Sequence, residues 1–105
     1  MEGRVYECEG KDQGKLKSVL EREPYAPRSF SRQGYKLKEG NSIGGEAGKY
    51  YAYMKAEADF FKWAEEQFKE VPNMKRCEKP VEEKLRATIE EQDNSAEVGF
   101  GSLFG

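Results

Sequence analysis

The chain has 105 residues, with 36% charged residues, 36% hydrophobic residues and a formal net charge of −2. This length fits one domain with one modest core, and the 12% share of aromatic residues argues against wholesale disorder. No apolar run approaches the ~20 residues of a membrane span, and no apolar stretch of a signal peptide follows Met1–Arg4. We therefore expect a cytoplasmic protein without membrane segments.

The first half of the chain indicates three strands and one helix. Leu16, Val19 and Leu20 fall on one helical face, and Pro24 and Pro27 end that helix. In chain order we predict a strand over Arg4–Cys8, a helix after Asp12, a strand over Ser29–Lys38 and a strand over Lys49–Lys55. A glycine-rich loop over 40–45 separates the last two strands.

The second half is predominantly helical. Phe60, Phe61 and Phe68 line one side of a helix predicted over Glu57–Glu70. A weak strand over Asn73–Glu78 follows. In the last helix, which Pro80 opens, an apolar residue recurs every fourth position, at Val81, Leu85 and Ile89.

The resulting element order is β-α-β-β-α-β-α, and its first six elements match the ferredoxin-like plan. We therefore predict an α+β domain over residues 1–92, with a four-stranded antiparallel sheet and two helices on one face. The other face is expected to be open, and the last helix could cover part of it or pack at an edge. Residues 93–105 are predicted to form a flexible, acidic and then hydrophobic tail.

Charge is unevenly distributed along the chain. Residues 28–55 carry six basic and two acidic groups, a net charge of +4, whereas the segments on either side are net acidic. The many Lys and Glu residues, with three Asn and no His, are typical of thermophile proteins. The basic middle segment is the first indication of function, because it suits a polyanionic partner.

Strand alternation places aromatic and basic side chains together on the second and third predicted strands. We expect the sheet face opposite the two helices to be open, so that rings there would stack on bases and cations would contact phosphates. The predicted nucleic-acid-binding residues are Phe30, Arg32, Lys36, Lys38, Lys49, Tyr51, Tyr53 and Lys55. The alternative is that the tyrosines are half-buried packing residues and the lysines a solvated surface.

Two families resemble parts of the sequence. The segment 49–56 (KYYAYMKA) resembles the third-strand motif of RNA-recognition-motif domains, which implies that Tyr51 and Tyr53 stack bases. The segments 31–37 and 50–63 and the Gly-Phe-Gly ending resemble the archaeal single-stranded-DNA-binding proteins of the ThermoDBP type. That resemblance implies binding of single-stranded DNA, a sheet platform and a homo-oligomer.

The acidic run over 90–97 leads to a glycine-spaced apolar ending with Phe100, Leu103 and Phe104. Exposed apolar residues at a chain end are disfavoured unless they dock somewhere, whereas simple fraying is the commonest fate of chain ends. The ending is similar to the tails of archaeal ribosomal stalk proteins and of bacterial single-stranded-DNA-binding proteins. Both resemblances imply that these three residues dock a protein partner.

We expect no enzyme here, and neither cofactor nor metal. Without histidine, Ser-His and Cys-His nucleophiles are excluded and ordinary zinc sites lack a usual ligand. The two cysteines, Cys8 and Cys77, are expected to be reduced packing residues, with a cross-strand disulfide as the alternative.

The leading hypothesis is a non-catalytic module that binds single-stranded nucleic acid, DNA rather than RNA, and docks a protein partner through its tail. A second hypothesis is a ribosome-associated or translation-associated adaptor whose tail docks a translation factor. A third is an enzyme subunit or scaffold whose aromatic residues form a dimer interface.

Overall fold

The structure is a computed structural model. It describes residues 1–23 and 25–104, with side chains through residue 92. The strands are β1 (Glu2–Glu9), β2 (Lys36–Glu39), β3 (Lys49–Ala56) and β4 (Lys75–Arg76). The helices are α1 (Gln13–Leu20), α2 (Phe30–Gln33), α3 (Gly40–Ile43), α4 (Ala58–Phe68) and α5 (Lys79–Phe104), and a 3-10 turn over Gly10–Asp12 precedes α1. Within this part of the chain, no helix combines the length and the apolar character needed to cross a membrane.

The four strands form one sheet in the order β2-β3-β1-β4, and every neighbouring pair is antiparallel. β1 and β3 pair along their full lengths, from Glu2 with Ala56 to Glu9 with Lys49. The predicted α+β class with a four-stranded antiparallel sheet is confirmed. The one-turn helices α2 and α3 are additions to the predicted element order.

The predicted strand over Ser29–Lys38 is wrong in its first half. The Ser29 hydroxyl accepts a hydrogen bond from the backbone N–H of Arg32 at 3.2 Å, which caps α2 and turns this segment into a helix. Gly34, with a φ of 87°, ends α2, and the strand begins only at Lys36. Arg32 therefore lies on α2 and not on the sheet.

The prediction that Phe30 lies on an open sheet face is also wrong, because this residue lies in the core. Its exposed fraction is 1%, and its ring stacks on Phe68 of α4 with centroids 5.2 Å apart. The core around it fills the space between the sheet and helices α1 and α4. It includes Tyr6, Cys8, Leu16, Leu20, Ala52, Met54, Phe61 and Phe68.

Helix α5 builds a second core on the opposite face of the sheet. Leu85 and Ile89, one helical turn apart on α5, are each exposed by 1% or less. Their cluster also contains Val5, Ile43, Tyr51, Tyr53 and Cys77. The domain therefore has three layers, with α1 and α4 on one face of the sheet and α5 on the other.

Candidate nucleic-acid interface

The side-chain alternation predicted for β3 matches the structure. Tyr50, Ala52 and Met54 face α1 and α4, whereas Tyr51 and Tyr53 face α5. We call this second side, which Lys49, Tyr51, Tyr53 and Lys55 share, the tyrosine face. In the register between β2 and β3, Lys36 pairs with Tyr53 and Lys38 with Tyr51. Since directly paired residues point to the same side of a sheet, both lysines belong to the tyrosine face.

The expectation that the tyrosine face is open is wrong. Tyr51 is 1% exposed and Tyr53 5%, because the apolar side of α5 packs over both rings. Gly45 also lies so close to the Tyr51 ring that a Cβ atom there would come within 2.6 Å of it. Neither ring presents a surface on which a base could stack, so the packing alternative describes them correctly.

The hydroxyl groups of these two tyrosines form hydrogen bonds at the margins of the tyrosine face. The Tyr51 hydroxyl oxygen accepts a hydrogen bond from the backbone N–H of Glu46 at 3.0 Å. Burial raises the pKa of Tyr51, so its hydroxyl stays protonated at neutral pH. The Tyr53 hydroxyl donates to Glu90 Oε1 at 2.5 Å, which fixes a carboxylate of α5 at the sheet margin.

Lys49 is not available as a phosphate contact. Its side chain is 19% exposed, and its ammonium group lies 3.2 Å from a carboxylate oxygen of Glu46 and 3.4 Å from one of Glu7. Burial disfavours its charged form, but hydrogen bonds to Glu46 and Glu7 outweigh that effect and raise the pKa of Lys49. Lys49 therefore balances two local carboxylates.

The remaining predicted cations lie around β2. Arg32 and Lys36 are exposed, Lys38 is half-buried, and the Lys55 side chain is 57% exposed. Because β2 pairs with β3 only as far as Tyr53, an open groove of about 560 Å³ remains beside the end of β3. We call it the basic groove, and its lining includes Gln33, Tyr35, Lys36, Tyr53, Lys55 and Glu90.

Three residues of the basic groove were missed by the reasoning from sequence. Tyr35 is half-buried against the core beneath α1 and α4 and also lines the groove. Gln33 belongs to α2, and its side-chain N–H donates to the backbone oxygen of Lys55 at 2.7 Å. Glu90 looked like the start of the acidic tail, yet it lies on α5 and pairs with Lys55 at 3.1 Å.

Cys8 and Cys77 are free thiols that lie on opposite faces of the sheet, so the alternative of a disulfide between them does not hold. Burial raises the pKa of Cys8 to about 11 and that of Cys77 to about 12. Both are therefore protonated at neutral pH and poor nucleophiles. Among the residues that the structure describes, no three His, Cys, Asp or Glu side chains are grouped to hold a metal ion.

The predicted docking residues of the tail, Phe100, Leu103 and Phe104, lie outside the described side chains. Their role stays a prediction. The chain matches no protein-family model, no curated protein and no solved structure, so arguments about its function depend on its own residues.

Proposed function

We propose that this domain binds single-stranded nucleic acid without catalysis, and that it does so at the basic groove and not on the tyrosine face. One observation carries the proposal. In the net-basic segment 28–55, Lys36 of the edge strand β2 and Lys55 of β3 line the basic groove together, while Lys38 follows on β2 and Arg32 lies on α2, next to the lining residue Gln33. A cytoplasmic location and a preference for DNA over RNA belong to the proposal as well.

The chemistry of the groove suits a single strand better than a duplex. Its volume of about 560 Å³ lies within the usual range of small-ligand sites, so it has room for one nucleotide. Tyr35 offers a half-buried ring beside the exposed residues Lys36 and Lys55. Unpaired bases can leave the strand and stack on such a ring while cations contact the phosphates.

Lysines on an edge strand have a structural use too, because their charge prevents another strand from adding to the sheet. The test must therefore measure the binding of nucleic acid at this edge. A loss of solubility when a lysine is replaced would not be enough. Proteins that bind through phosphate contacts lose affinity as salt rises, with a slope set by the number of contacts. An edge that only blocks strand addition shows no such binding.

The experiment measures fluorescence anisotropy of labelled dT and rU oligomers of about 12 nucleotides across a range of salt. We expect a log–log slope of about −2 to −3, from three or four phosphate contacts at ~0.7 each. Lys36→Glu combined with Lys55→Gln should weaken binding about tenfold or more, since it removes two of those contacts and adds a repulsion.

The matched control is Lys17→Glu combined with Lys62→Gln, which makes the same charge change at exposed positions of α1 and α4. It should keep nearly all of the affinity. Equal losses in both double variants would mean that only net charge matters. That result, or a flat salt response, would refute the basic groove as the binding surface.

A further inference from the structure

Two hydrogen-bond acceptors line the basic groove among its cations. Glu90 Oε1 receives both the Tyr53 hydroxyl at 2.5 Å and the Lys55 ammonium at 3.1 Å, so the carboxylate is held in place. These contacts also lower the pKa of Glu90, which is therefore ionised at neutral pH. Gln33 uses its side-chain N–H on the backbone oxygen of Lys55, and its carbonyl oxygen keeps its acceptor character.

A fixed carboxylate is an unexpected feature in a site for a polyanion. It repels phosphate, so a site built only for the backbone would gain from its removal. A carboxylate has a use where it accepts hydrogen bonds from a base, because charge-assisted bonds are short and strong. Lys55 pairs with Glu90 at 3.1 Å, yet its side chain is 57% exposed, so its ammonium group can also reach a phosphate.

We infer that the basic groove recognises one unpaired base by its hydrogen-bond donors, with guanine as the preferred base. Guanine presents two adjacent donors, N1–H and the N2 amino group, which suit two acceptors of the groove: Glu90 Oε2, since Oε1 already receives Tyr53 and Lys55, and the side-chain oxygen of Gln33. Thymine and uracil present one N–H between two carbonyl oxygens, and these oxygens would face the carboxylate unfavourably. This inference rests on the proposed function and adds a base preference to it.

The experiment compares a dT oligomer with the same oligomer carrying one central guanine, or one inosine, which lacks the N2 amino group. We expect the guanine oligomer to bind about fivefold more tightly or better, since two hydrogen bonds to one base discriminate by at least about that factor, with inosine in between. Glu90→Gln should remove the preference for guanine. Glu91→Gln, a charge-matched change at the exposed neighbouring position, should keep it.

Two further readouts keep the test decisive. Thermal unfolding of Glu90→Gln shows whether the variant folds, and Gln33→Leu, whose substituted side chain lies outside both core clusters, provides a second variant that should weaken the preference. Equal affinity for all three oligomers would overturn the base preference and leave the proposed function standing. No binding of any oligomer would overturn the proposed function and this inference with it.

Discussion

Glu82 of α5 accepts a hydrogen bond from the backbone N–H of Val5 in β1, 77 positions away, at 3.0 Å. The same carboxylate binds the Arg76 guanidinium with two hydrogen bonds of 2.8 and 2.9 Å. Further along α5, the Gln92 side chain donates a hydrogen bond to the backbone oxygen of Ser42 in α3 at 2.6 Å. These contacts hold α5 over the tyrosine face, which makes that face part of the core.

We predict that Tyr51→Ala destabilises the domain by about 3–5 kcal/mol, the usual cost of removing a large buried ring. The ring is 1% exposed and packs under α5, so its loss leaves a cavity. Urea unfolding followed by circular dichroism measures the change. Tyr25→Ala is the control, because Tyr25 is 92% exposed and its removal should cost under about 0.5 kcal/mol. A Tyr51→Ala variant as stable as the wild type would mean that the tyrosine face is open.

We predict that Glu82→Gln lowers the free energy of unfolding at neutral pH by about 1.5–3 kcal/mol, the range for a hydrogen bond to a charged group. Burial alone would raise the pKa of Glu82, but hydrogen bonds from Arg76 and Val5 and the charges of Arg76 and Arg4 lower it overall. A lowered pKa in the folded state stabilises the fold above the ordinary carboxyl pKa of about 4.3. That contribution disappears as the pH falls through the folded-state pKa.

The measurement for Glu82 is urea unfolding at a series of pH values between neutral and strongly acidic. The difference between wild type and Glu82→Gln should be largest near neutral pH and shrink on acidification. Glu83→Gln, at the exposed neighbouring position, should show little difference at any pH. A gap that stays constant with pH would show that the ionised Glu82 carboxylate does not stabilise the fold.

We predict that a chain ending at residue 92 folds with nearly wild-type stability and binds oligonucleotides as well as the full chain or slightly better. All described contacts of α5 with the sheet come from residues up to Gln92. The removed segment 93–105 adds two acidic groups and no basic ones, which disfavour phosphate nearby. Anisotropy titrations of both chains measure the difference. Loss of binding in the shorter chain would place the tail in the binding site.

The β3 face assignment was predictable from sequence, because side chains alternate strictly along a strand. Whether Tyr51 and Tyr53 were exposed was not, since that depends on where α5 packs. The recurrence of Leu85 and Ile89 predicted an apolar helix side, but several surfaces would have buried it equally well. The sequence thus predicted which residues lie on the tyrosine face, but it did not predict that the two tyrosines are buried.

The basic groove was harder to predict, for two physical reasons. The alternation of Phe30 and Arg32 imitates a strand, while the Ser29 cap favours a helix turn there. In addition, Gln33 and Glu90 are far apart in sequence, and only the fold brings them to the same groove. Sequence periodicity identifies residues that share a face of one helix or strand. It does not show which elements, distant in sequence, come together in the fold.

The most direct test of the central claim is a titration of the isotope-labelled full chain with an unlabelled oligonucleotide, followed by backbone amide shifts in NMR spectra. Our account predicts that the largest shifts fall on residues 33–38 and on Lys55, and that amides around Tyr51 and Leu85 change little. Shifts centred on Tyr51, Tyr53 and Leu85, with residues 33–38 unchanged, would contradict it, because they would show that nucleic acid displaces α5 and binds the tyrosine face.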